Sequence, residues 1–181
     1  MRLAFGKVNK KQKGKVMRLF KVWVLVIAFF SVHLFAANSH VDKPAKGFTL
    51  PDLKTGNNIT LDKFEGRVVY LDFWASWCKP CVKSFPKLDE LHKKYKKSGF
   101  DVIAINLDQN KNKALEFIRQ RPVSYTLLYD KNASVAMDYK VQAMPSSYFI
   151  DKKGVIRLTH SGFRPGDEDK IEKAVKLLLA E

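Results

Sequence analysis

Cysteine is scarce in this 181-residue chain: there are two, Cys78 and Cys81, with Lys79 and Pro80 between them. That count excludes a multi-disulfide scaffold and a four-cysteine zinc site. A two-residue loop also returns little chain entropy, so the pair reads as chemistry rather than a staple. Histidine is scarce too. Outside the N-terminal segment only His40, His92 and His160 could complete a metal site around two thiolates, and their spacing is not that of ligands. His92, set among lysines, reads as a surface residue on the polar side of its helix. Acid is missing altogether from residues 1–39, which carry 8 Lys/Arg, so the net charge of +15 is concentrated there. The rest of the chain has 25 basic and 18 acidic side chains, a moderately basic domain with a solvated surface and no call for a nucleic-acid partner. Repeats and low-complexity stretches are absent as well. What is present is 46% hydrophobic residues, including 13 Phe and 3 Trp, which excludes general disorder and fits one globular domain.

One long apolar run occurs, VWVLVIAFFSVHLFAA over residues 22–37, preceded by lysines and arginines and followed by small residues. It is short of the roughly 20 residues a spanning helix wants. Residues 1–39 therefore read as a secretory signal peptide, with an uncleaved membrane anchor as the alternative. Positive charge stays inside in both cases, which sends the domain to the periplasm, free or tethered to the inner membrane. Met17 opens a tidier signal than Met1. No cysteine lies near the candidate cleavage sites, which excludes a lipid-anchored lipoprotein. Residues 40–47 read as a linker and 48–181 as the domain.

Within the domain, residues 48–53 and 59–61 flank Gly56-Asn57-Asn58 as a small hairpin. The apolar, β-branched run RVVYLDFW (67–74) suits a strand buried on both faces. Val82, Phe85, Leu88, Leu91 and Tyr95 recur at helical spacing, with Pro86 inside the helix and Gly99 at its end. A strand over 100–107, a helix over 113–121, a strand over 125–129 and a short helix over 134–139 follow. Strands 146–150 and 155–160 form a hairpin, and a helix from 167 to 179 closes the chain. The order implies an α/β fold, a mixed sheet flanked by helices.

The first cysteine falls where strand 67–74 gives way to the long helix. Unpaired N–H groups and the macrodipole at a helix start stabilise a thiolate, and Lys79 adds positive charge in the same direction. Cys78 is thus the candidate attacking thiol, and Cys81, a turn further in, the resolving one. Pro80 lacks an N–H where none is needed.

FWASWCKPC with a helical proline behind it resembles the thioredoxin superfamily, in its extracytoplasmic TlpA/ResA-like branch of thiol–disulfide oxidoreductases. The likeness runs over residues 46–181. It implies a thioredoxin-like fold with an inserted helix, here around 113–121, between the CxxC helix and a cis-proline. That proline would be Pro145, with Met144 before it offering backbone to a substrate chain. Trp77, Lys79 and Pro80 would line the substrate surface. Asp72, the acid six positions before the first cysteine in an otherwise apolar strand, would be a buried carboxyl of raised pKa that exchanges protons with Cys81. The resemblance further implies no cofactor beyond a redox-active Cys78–Cys81 disulfide, disulfide-containing protein substrates such as apocytochrome c or copper-centre proteins, and a membrane electron donor of the DsbD/CcdA type. Two relatives fit less well. A peroxiredoxin would have Thr and Pro where this chain has Ala75 and Leu71, and a Sco-type copper-delivery protein would space its cysteines C-x-x-x-C. Copper binding by the same dithiol is the alternative function.

Overall fold

The structure is a computed structural model, and it describes residues 40–181. The signal or anchor segment read over 1–39 lies outside the described residues.

Twelve strands and helices follow one another in the order anticipated from the sequence, apart from a first strand in the segment read as linker. Strand β1 is Lys43–Pro44; β2 (Thr49–Pro51) and β3 (Asn58–Thr60) pair as the hairpin, with Leu50 opposite Ile59. Then come β4 (Val68–Trp74), α1 (Lys79–Tyr95), β5 (Phe100–Asn106), α2 (Lys111–Gln120), β6 (Thr126–Tyr129) and α3 (Ser134–Asp138). Strands β7 (Ser146–Ile150) and β8 (Val155–Ser161) precede α4 (Asp167–Ala180). Six strands form one sheet in the order β1-β8-β7-β4-β5-β6, with β4, β5 and β6 parallel and the rest antiparallel.

Every residue of β4 and β5 is buried, which is why both read as continuous apolar runs rather than alternating ones. Alternation instead sorts β4 between two cores. Val68, Tyr70 and Trp74 join Cys81, Phe85 and Leu88 of α1, Phe117 of α2, and Ile171 and Val175 of α4. Val69, Leu71 and Phe73 face the other way, onto Leu50 of the hairpin and Val135 and Ala136 of α3. Because side chains alternate along a strand, Asp72 belongs to the first face, the one covered by α1.

Two expectations are corrected. Residues 40–47 are not a free linker, since β1 closes the sheet edge against β8. The Asp42 and Ala45 N–H groups donate to the carbonyls of Ile156 and Gly154 at 2.7 and 2.8 Å, and the Tyr139 hydroxyl donates to the Lys46 carbonyl at 2.8 Å. Pairing satisfies backbone groups that an open edge would leave unpaired. His92 is not a surface residue either; it is 2% exposed. Its ring nitrogens contact Ser124 Oγ at 3.1 Å and Asp101 Oδ1 at 3.4 Å, and Asp101 also pairs with Arg67. Position 92 stands four residues after Leu88 and seven after Phe85. It therefore lies on the apolar stripe despite its lysine neighbours.

Candidate active site

Strand β4 ends at Trp74, and Ala75-Ser76-Trp77 turns the chain into α1. The turn is held from the neighbouring strand end. Asp108 accepts from the Ser76 N–H and hydroxyl, both at 2.9 Å, and from Asn106 Nδ2 at 2.7 Å. Its own N–H donates to Asn106 Oδ1 at 3.0 Å. Sequence reasoning missed this trio. The available signal was two polar side chains just past an apolar strand, at the carboxyl end of a sheet where α/β sites gather.

Cys78 is the N-cap of α1, and its Sγ accepts from the Cys81 N–H at 3.3 Å. A sulfur so placed is one of the few acceptors available to the free N–H groups of the first turn. Pro80 occupies that turn, and the helix continues through Pro86. Cys78 and Cys81 form a disulfide with sulfurs 1.98 Å and Cα atoms 5.3 Å apart. Cys78 is 4% exposed and Cys81 fully buried. Lys79 and Pro80 are exposed beside them. Trp77 is 66% exposed, so it is no core residue, whereas Phe73 and Trp74 are completely buried.

The Met144–Pro145 bond is cis. Met144, half-buried, packs against the same core that holds both cysteines. Asp72, opposite Ser147 of β7, is buried, 1% exposed. Its Oδ1 accepts from the Ser147 hydroxyl at 2.7 Å, while Oδ2 has no hydrogen-bond partner. Burial pushes the Asp72 carboxyl up to about 7, and the bond from Ser147 offsets part of that push. A carboxyl titrating there can exchange protons at neutral pH. Among the described residues, no group of three or more His, Cys, Asp or Glu side chains could hold a metal ion. A dithiol–disulfide couple carries its two electrons on the sulfurs themselves.

Residues 40–176 match the Redoxin family. The chain belongs to that family, on the ResA/TlpA-like branch of the thioredoxin superfamily. It is 36% identical over 116 residues to the thiol-disulfide oxidoreductase ResA of Bacillus thuringiensis subsp. konkukian. That alignment covers 64% of this chain and 66% of the relative, just under two thirds of the relative's length. With the ResA of Geobacillus kaustophilus identity is 32% over 161 residues, covering 84% of this chain and 90% of that one. Among solved structures, the Chlorobium tepidum protein described as a thiol:disulfide interchange protein DsbE superimposes with a TM-score of 0.74. It is 42% identical, over 77% of this chain and 97% of that one. The redoxin-family fold accounts for the thioredoxin-like architecture read from the sequence, and α2 and α3 both lie between the CxxC helix and the cis Pro145.

Proposed function

We propose that this chain reduces disulfides of other proteins outside the cytoplasm, with Cys78 as nucleophile, Cys81 as resolving thiol and Asp72 as proton partner. The observation that carries the reading is a disulfide whose first sulfur caps a helix beside the exposed Trp77, with the second buried behind it.

In the reduced protein, the helix start and the Lys79 charge favour a thiolate at Cys78. That thiolate attacks a substrate disulfide; a Cys78–substrate S–S bond forms, and the first substrate sulfur leaves as a thiolate. Cys81 gives its proton to the Asp72 carboxylate and attacks Cys78 Sγ. The Cys78–Cys81 bond forms, the mixed disulfide breaks, and the second substrate sulfur departs. Two electrons pass from the dithiol to the substrate, and another dithiol must return them. Trp77, Lys79, Pro80, Met144 and Pro145 form the docking surface, on which a substrate chain pairs with the Met144 backbone.

The uncharged apolar run at 22–37, with its basic flank, supports a periplasmic site of action, with the chain either released or held at the inner membrane. There the substrates are disulfide-containing proteins, for example apocytochrome c or copper-centre proteins, and the electron donor is a membrane carrier of the DsbD/CcdA type. The test is insulin reduction with dithiothreitol as electron source, run beside a copper(I) titration of the reduced protein. Turnover without tight copper binding supports the oxidoreductase reading. Tight binding with no turnover refutes it in favour of copper delivery.

A further inference from the structure

Asp72 has no cationic partner among the described residues, yet its proposed role needs a carboxylate to be reachable at neutral pH deep in the protein. Something else must favour its charged form. The register of β4 and β7 sets Asp72 opposite Ser147, and Tyr70 lies two residues earlier on the same face of β4. The Tyr70 hydroxyl donates to Ser147 Oγ at 2.8 Å, and Ser147 Oγ donates to Asp72 Oδ1 at 2.7 Å. All three side chains are 1% exposed.

We infer that Ser147 and Tyr70 are positioning residues for Asp72, a two-hydroxyl chain that presents its last hydrogen to the carboxylate and leaves the second oxygen free to take and release the Cys81 proton. The inference rests on the proposed proton-partner role of Asp72.

The direction of the chain follows from counting hydrogens. Each hydroxyl has one to give. Tyr70 gives its hydrogen to Ser147, occupying a lone pair there and turning the Ser147 hydrogen toward Asp72. A donor aimed at a carboxyl favours the ionised form. In an interior of low dielectric such a bond to a charge is stronger than one between neutral groups. Without Tyr70, Ser147 is free to rotate and accept a hydrogen from the protonated acid, which favours the neutral form. Removing either hydroxyl therefore moves Asp72 in the same direction, upward.

The remaining polar groups around this spot do not take over the task. Tyr125, whose buried hydroxyl has no partner, feels the Asp72 charge and cannot neutralise it. Asp167 of α4 acts on Tyr70 and Asp89 of α1 acts on Tyr125, and both are acids. His160, opposite Ser147 on β8, lies 3.4 Å from Asp167. Cys81, on α1, is the thiol the carboxylate would serve.

The experiment uses the oxidised protein and follows the Asp72 carboxyl by carbon-13 NMR against pH, with Asp72→Asn to assign the signal. Ser147→Ala should move the titration up by about one pH unit or more, the worth of a hydrogen bond to a charged group. Tyr70→Phe should move it up by less, and Ser147→Thr should restore it. An unmoved titration in Ser147→Ala and Tyr70→Phe overturns the inference. Should Ser147→Ala fail to fold, Tyr70→Phe alone decides. A second readout is the pH midpoint for Cys81 to release glutathione from a preformed Cys78 mixed disulfide. It should follow the NMR titration. If the titration moves and the release rate does not, the hydroxyl chain stands as a hydrogen-bond arrangement, and the proton-partner role of Asp72 falls.

Discussion

The Cys78→Ser variant should reduce insulin no faster than dithiothreitol alone, while Cys81→Ser should accumulate a mixed disulfide through Cys78 and stop after one turnover. The asymmetry follows from the two positions. Cys78 caps α1, where the helix start favours its thiolate, and Trp77 beside it is open to a partner. Cys81 is fully buried and meets no outside disulfide first. Removing the nucleophile removes every later step. Removing the resolver leaves the first attack intact but blocks escape, so the substrate stays bound by an S–S bond. The check is non-reducing electrophoresis and mass spectrometry after mixing reduced variant with a periplasmic extract or insulin. Adducts on the Cys78→Ser protein, or equal adducts on both, would show the assignment to be reversed or void.

The second large effect concerns stability. Asp72 titrates near 7 in the folded protein because it is buried, whereas an Asp in an unfolded chain titrates near 3.9. Between those values the folded state binds the extra proton, so stability falls as pH rises through the window. The loss contributed by this group is up to about 4 kcal/mol and is complete only above pH 7. Asp72→Asn removes the ionisation. It also leaves a buried amide with one side unpartnered, a cost of about 1–3 kcal/mol at every pH. Urea unfolding should therefore show the variant close to or below wild type at pH 5, and more stable than wild type at pH 8.5. Parallel stability curves for the two proteins between pH 5 and 8.5 would mean that Asp72 is already ionised in the folded protein across that range, with no raised pKa.

Much of the fold was legible because its strongest signals are local. Strands β4 and β5 are buried on both faces and spelled as unbroken apolar runs, and α1 shows its stripe through Phe85, Leu88 and Leu91. The place of the dithiol was legible for the same reason: a strand, a short turn and a helix bracket Cys78. What escaped depends on contacts between distant segments. Lys43–Pro44 is too short to carry any period, and it is a strand only because β8 offers an edge. His92 is chemically polar, and its burial depends on partners 9 and 32 residues away. Asp108 holds Ser76 across 32 residues, and Ser147 reaches Asp72 across 75. Such pairs follow from sheet register, which no window of sequence contains.

The central claim is that this dithiol gives electrons to other proteins. The reduction potential of the Cys78–Cys81 couple, measured by equilibrium with a glutathione redox buffer, tests it most directly. A value close to thioredoxin's, about −270 mV, is the predicted result. A value near that of the strong periplasmic oxidant DsbA, about −120 mV, would contradict the account and make the chain a donor of disulfides.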